Sequence, residues 1–142
     1  MKLELVSLTG VKFSDDAYEV VIPTADGEIA VYPGHMPLVS LAVPGVLTVR
    51  RQKTDSDSLL EHFATLGGVV EINGTEIRIL VDDVEHADEL YEDEVRKAYD
   101  LAQKLKSEAK TAVEIEHAQA MMDRQAIRLK VTELKRHNRV RR

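Results

Sequence analysis

The chain of 142 residues has no cysteine and no tryptophan, and its aromatics are two phenylalanines and four tyrosines. Without cysteine there is neither a disulfide nor a thiolate metal site, which agrees with a reducing compartment. Scarce aromatics leave the core to aliphatic side chains and remove the stacking platform that single-stranded nucleic acid needs, so no nucleic-acid partner is expected. No apolar run approaches the roughly eighteen residues of a membrane span, so any membrane association is expected to come only through a complex. The start of the chain alternates like a strand and carries Glu4, unlike a signal or transit peptide. Motifs for nucleophilic serine, phosphate-cradling loops and paired zinc histidines are missing. His35, His62, His86, His117 and His137 are dispersed. The best cluster, His86 with Asp82, Asp83 and Asp88, lies in what reads as a solvated acidic linker. No metal site and no catalytic residue are expected, and the chain reads as a binding or mechanical part.

What is present is charge, unevenly distributed within a net −6. Asp82, Asp83, Glu85, Asp88, Glu89, Glu92, Asp93 and Glu94 form a segment free of Lys and Arg. From Arg124 onward the balance reverses, with Arg124, Arg128, Lys130, Lys135, Arg136, Arg139, Arg141 and Arg142 against Glu133 alone. Such blocks form solvated faces, and opposite signs on neighbouring segments also permit self-association or docking on an acidic partner.

The first half reads as all-β: short apolar runs at 2–8, 18–22, 46–51, 59–66, 69–72 and 76–81, separated by Gly, Pro and Asn turn signals. Regular short strands suggest a sandwich. Within 26–45, Asp26-Gly27 suits a hairpin turn, and Pro33-Gly34 and Pro44-Gly45 suit type II turns. The stretch is expected to form a strand, a tight loop with His35 at its tip, and a second strand. Residues 52–58 are a polar hairpin tip without chemistry.

After Asp88 the period changes. Leu90, Val95, Ala98, Leu101, Ala102, Leu105 and Ala109 recur at helical steps, as do Ile115, Ala118, Met122, Ala126 and Leu129. Thr111 and Glu114 form a capping box between the two runs, so the helices are expected to be antiparallel neighbours. The fold class is therefore α+β: an all-β sandwich over 1–86, then a two-helix hairpin over 87–142. The shared helical face is rich in Ala, Leu and Met. At about 25 cal/mol per Å² such a pair gains only a few kcal/mol. Together with adaptable Met121 and Met122, this suits a hairpin that can detach, although a permanently docked one fits equally.

The order of residues goes further. Gly27-Glu28-Ile29, Pro33-Gly34-His35, Pro37-Leu38 and Pro44-Gly45, followed by Gly67-Gly68-Val69-Val70-Glu71-Ile72 and the strand ending at Leu80, resemble the epsilon subunit of bacterial-type rotary ATP synthases over essentially the whole chain. The resemblance implies a sandwich followed by a helical hairpin, in a non-catalytic central-stalk subunit of a proton-translocating synthase. Such a subunit touches the gamma subunit and the c-ring and lies peripherally on the cytoplasmic face of the inner or plasma membrane. Glu28, Pro33, Gly34 and His35 then match the c-ring and gamma contact region. The hairpin matches an element that enters the alpha/beta catalytic hexamer and inhibits hydrolysis, with Arg124, Arg128, Lys130, Lys135 and Arg136 as its contacts. No cofactor is required. Some members bind ATP as a regulatory ligand, and the matching positions are Asp93, Arg96, Arg124 and Arg128. Glu92 and Lys97 depart from that pattern. Two other readings compete: a free-standing ligand-binding sandwich with a helical oligomerisation hairpin, and a small hydrolase using His35 or His86.

Overall fold

A computed structural model describes residues 1–142. Ten strands come first: β1 (Lys2–Ser7), β2 (Gly10–Asp16), β3 (Glu19–Thr24), β4 (Gly27–Val31), β5 (Leu38–Ala42), β6 (Gly45–Arg50), β7 (Glu61–Thr65), β8 (Gly68–Ile72), β9 (Glu76–Val81) and β10 (Val84–His86). Single 3-10 turns at Asp57–Leu59 and Ala87–Glu89 precede β7 and the helices α1 (Glu92–Glu108) and α2 (Ala112–Arg141). The expected sandwich and hairpin are both present.

The strand order is β10-β7-β6-β3-β5-β8-β9-β1-β2, with β4 on the remaining edge of β3. Only the pair Thr24↔Ala42 joins β3 to β5, so the path folds there into two layers. One layer is β10-β7-β6-β3-β4 and the other β5-β8-β9-β1-β2. Their inner faces alternate along each strand and meet in an aliphatic core of Leu3, Leu5, Val20, Ile22, Leu47, Val49, Val70, Ile77 and Ile79, all at most 2% exposed. Phe63 supplies the aromatic mass, edge-on to Phe13 of β2 at 5.1 Å.

Several local expectations change. The runs around Pro33 are not partners of one hairpin: β4 pairs with β3, whereas β5 crosses to the other layer and pairs with β8. At the β3–β4 turn only Gly27 has a positive φ (112°), and Asp26 does not. Gly45 has no positive φ either. It opens β6, and a Cβ there would meet the Pro23 ring at 3.1 Å, so glycine serves close approach and not a type II turn. β2 escapes the sequence reading because six of its seven residues are exposed and no alternation marks it. The expected run at 59–66 begins in a 3-10 turn, and the strand proper starts at Glu61. The acidic segment is not all linker, since Val84–His86 pairs with β7.

The capping box forms as expected: Glu114 N–H donates to Thr111 Oγ1 at 3.1 Å, and Glu114 Oε2 accepts from Thr111 N–H at 3.4 Å. α2 then runs for 30 residues and lies along β6 and β7. A small second core of Ala64, Ala87, Leu90, Val95 and Val131 seals it there. Toward the free end of the hairpin Leu101, Leu105, Val113 and Ile115 stay exposed, so apolar docking is confined to the end nearest the sheet.

Candidate functional site

Three features remain after the core is assigned: a fixed loop, a bare apolar face and a charge-paired helix. The loop follows β4 directly. His35 N–H donates to Tyr32 O at 3.1 Å across Pro33 and Gly34, and Gly34 has φ 85°. Proline at the second position and a left-handed glycine at the third make a type II turn. Gly34 N–H donates to Gly74 O at 3.2 Å, tying the loop to the β8–β9 turn. The His35 ring is turned back on its own loop, Nδ1–H donating to Met36 O at 2.7 Å. Glu28 is not clustered with these residues. It stands near the start of β4, opposite Pro23, five residues and about 16 Å of strand from Pro33. The four expected contact residues therefore spread along one sheet edge and the turn that ends it.

The bare face was not anticipated. Leu41 pairs with Val69, Val69 with Leu80, Leu80 with Val6, and Val6 with Val11, a continuous row across β5, β8, β9, β1 and β2. Opposite residues in a ladder share a face, so these side chains form one outer stripe, with Val39 beside it. Leu41, Val11 and Val39 are each more than 60% exposed. The signal was available in the sequence: Val69-Val70 and Ile79-Leu80 are apolar in both strand phases, as in a sheet covered on both sides. The outer face of the other layer carries α2.

That helix is held by alternating charge. Arg124 Nη2 meets Asp83 at 2.8 Å, Arg128 Nε meets Glu85 at 2.8 Å, Lys135 meets Asp88 at 3.3 Å, and Arg136 meets Glu92 at 3.1 Å. The acidic segment and the basic tail, read separately in the sequence, answer one another within the chain. Of the five expected inhibitory contacts, only Lys130 makes no ion pair.

A family model described as the beta-sandwich domain of the ATP synthase delta/epsilon chain matches residues 1–87. The ATP synthase epsilon chain of Sulfurihydrogenibium sp. is 35% identical over 124 residues, covering 87% of this chain and 90% of the relative. This chain belongs to the ATP synthase epsilon chain family. The epsilon chain of Chloroflexus aggregans is 31% identical, covering 93% of this chain and 91% of that one. The fold also resembles a chain in the mitochondrial ATP synthase of Euglena gracilis, with a TM-score of 0.71 at 20% identity over 85% of this chain and 74% of that one. A chain of the Tetrahymena thermophila central stalk and c-ring gives 0.58 at 18% identity, covering 93% of this chain and 96% of that one.

As an epsilon chain the protein is a non-catalytic rotor subunit with a C-terminal helical hairpin. Three of the four positions matched to regulatory ATP binding have acidic neighbours within this epsilon chain. Arg124 and Arg128 are engaged by Asp83 and Glu85, and Arg96 lies 3.6 Å from Glu92. Asp93 lines a separate cleft with Tyr91, Thr132, Arg136 and Arg139. No three metal-ligating side chains come together. His86, expected in a solvated linker, is instead packed edge-on against Phe63 at 4.8 Å, with Nε2 3.2 Å from Glu61 Oε2. No helix is long and apolar enough to cross a membrane.

Proposed function

We propose that this epsilon chain docks on the gamma subunit through the outer apolar row from Leu41 to Val11 and meets the polar loops of the c-ring with the β4 edge and the Pro33-Gly34-His35 turn. The division of labour falls at the end of β10, with a sandwich over 1–86 and a regulatory hairpin over 87–142. The observation that carries this reading is the asymmetry of the sandwich: one outer face is covered by the chain's own helix, and the other is apolar and bare. Monomeric proteins rarely leave so continuous an apolar stripe in water. A loop fixed by a type II turn and tied to a neighbouring turn suits transmission of torque, because little of its binding energy is lost to ordering. The hairpin, once released, enters the alpha/beta hexamer and restrains hydrolysis. The whole chain then sits peripherally on the cytoplasmic face of the inner or plasma membrane, held there by its complex.

The test is charge placed in the row. Leu41→Glu with Leu80→Lys should abolish co-purification with the gamma subunit while the isolated chain still melts cooperatively. Retained binding with both substitutions would place the gamma contact elsewhere.

A further inference from the structure

His62, on β7, is only 5% exposed and lies beneath the C-terminal end of α2. Its hydrogen bonds fix its protonation state by elimination. Asn138 Nδ2, from α2, lies 3.1 Å from Leu60 O and 3.2 Å from His62 Nε2. A carbonyl oxygen only accepts, so the Asn138 group facing it is the NH2, and the second hydrogen of that NH2 goes to Nε2. Nε2 is therefore the bare nitrogen, and Nδ1–H donates to Thr48 Oγ1 at 3.1 Å. Rotating the Asn138 amide offers no escape, because its oxygen would then face Leu60 O.

We propose that His62 and Asn138 form a proton-released latch that holds the end of α2 on the sandwich at neutral pH and lets it go on acidification. A proton on Nε2 sets donor against donor at the Asn138 amide and places a charge in a cleft already lined by Lys135 and Arg139 of α2 and by Arg142 at its end. The nearby acids are committed elsewhere: Glu61 of β7 to Arg51 and His86, and Asp88 of the 3-10 turn to Lys135. From β10, His86 adds a second imidazole, and Arg50 of β6 is tied to Glu19 and Asp57. Burial, and then the His86 charge, hold the His62 imidazole below its ordinary 6.5. When α2 lifts, Nε2 reaches water while the bond to Thr48 is kept in either protonation state. The undocked form therefore takes up the proton first. Docking is complete above about 6.5 and weakens as the pH falls below it, by up to about tenfold in equilibrium constant from pH 7.5 to 5.5. This latch goes beyond the stalk assignment and stands or falls on the isolated chain.

The lack of native cysteine makes labelling clean. Fluorophores at Lys53→Cys and Val140→Cys in the full chain report docking by energy transfer. Transfer should fall between pH 7.5 and 5.5 in the otherwise native chain and in His86→Gln, and stay flat in His62→Gln, whose neutral amide still offers an acceptor. Asn138→Asp should reverse the response, because a carboxylate accepts from the protonated ring. Asn138 is half-buried where α2 meets the sandwich, outside the aliphatic core, and this variant decides the matter if His62→Gln does not fold. A flat response in the native chain, a response kept in His62→Gln or lost in His86→Gln, or an unreversed response in Asn138→Asp would overturn the latch.

Discussion

Arg128 holds Glu85 with two nitrogens, Nε at 2.8 Å and Nη2 at 3.2 Å from the two carboxylate oxygens. An arginine engaged in this way cannot at the same time grip an acidic catalytic subunit, so under the proposed inhibitory role docking and inhibition would compete for it. Both side chains are about three-quarters buried, which lifts the pair above an ordinary surface contact. Arg128→Ala should weaken docking of α2 by about 1 kcal/mol, roughly fivefold. Energy transfer across the docked interface at low and high salt measures this; the native chain should lose transfer as salt rises, and the variant should lose it earlier.

Lys130 gives the complementary experiment. It makes no ion pair in the docked form, so Lys130→Glu should leave docking unchanged. In the assembled enzyme the same change should raise ATP hydrolysis, whereas Arg128→Glu perturbs both docking and inhibition. Hydrolysis rates of the two variants, compared with a truncation after Lys110, separate the two effects. A truncation without effect on hydrolysis would remove the inhibitory role from this hairpin.

Two glycines should answer oppositely to substitution. A Cβ on Gly68 would stand 1.9 Å from Leu80 O, a backbone atom that the β8–β9 ladder holds in place. Gly68→Ala should cost about 3 kcal/mol or more in urea unfolding. Gly34 has nothing within 4 Å of its absent Cβ, only a φ of 85°. Pro33→Ala with Gly34→Val should cost about 1–3 kcal/mol and leave a folded, assembled subunit, while proton pumping in membranes is lost.

Acid stability should depend on Glu19. The Arg50 guanidinium, and then the Tyr32 hydroxyl at 2.6 Å, hold its carboxyl below the ordinary 4.5. A lowered carboxylate contributes stability that is complete above 4.5 and fades as the pH falls through its lowered value. Urea midpoints at pH 7 and pH 3 should differ less in Glu19→Gln than in the native chain.

Residues 1–87 alone should melt cooperatively, because removing the helices uncovers the small cluster around Ala64 and Val46 and the His62 ring but leaves the aliphatic core between the layers covered. Calorimetry of that fragment checks this.

The legible parts of this molecule were those governed by neighbours in sequence. The Pro33-Gly34 turn and the Thr111–Glu114 capping box depend on residues within four positions, and both formed as read. Pro44-Gly45 misled because its glycine answers to the distant Pro23 ring. β2 left no trace because a strand wet on most sides has no apolar alternation to display. Glu85 and Arg128 were each visible as charge, but no local rule joins residues 43 apart. His62 looked like one of five scattered histidines, and only the arrival of Asn138, 76 positions later, gives its ring a definite tautomer.

The parallel pairing of β1 with β9 sets Lys2 beside Glu76 and Val6 beside Leu80. During synthesis the first strand therefore has to wait for the ninth, and the layer that holds them cannot close until more than half the chain has left the ribosome. Long-range pairing of this kind slows folding and leaves strand edges open in the meantime. The β1–β2 hairpin, polar and mostly exposed along β2, guards one side of β1 throughout that interval, so the nascent chain presents its vacant edge on one flank alone.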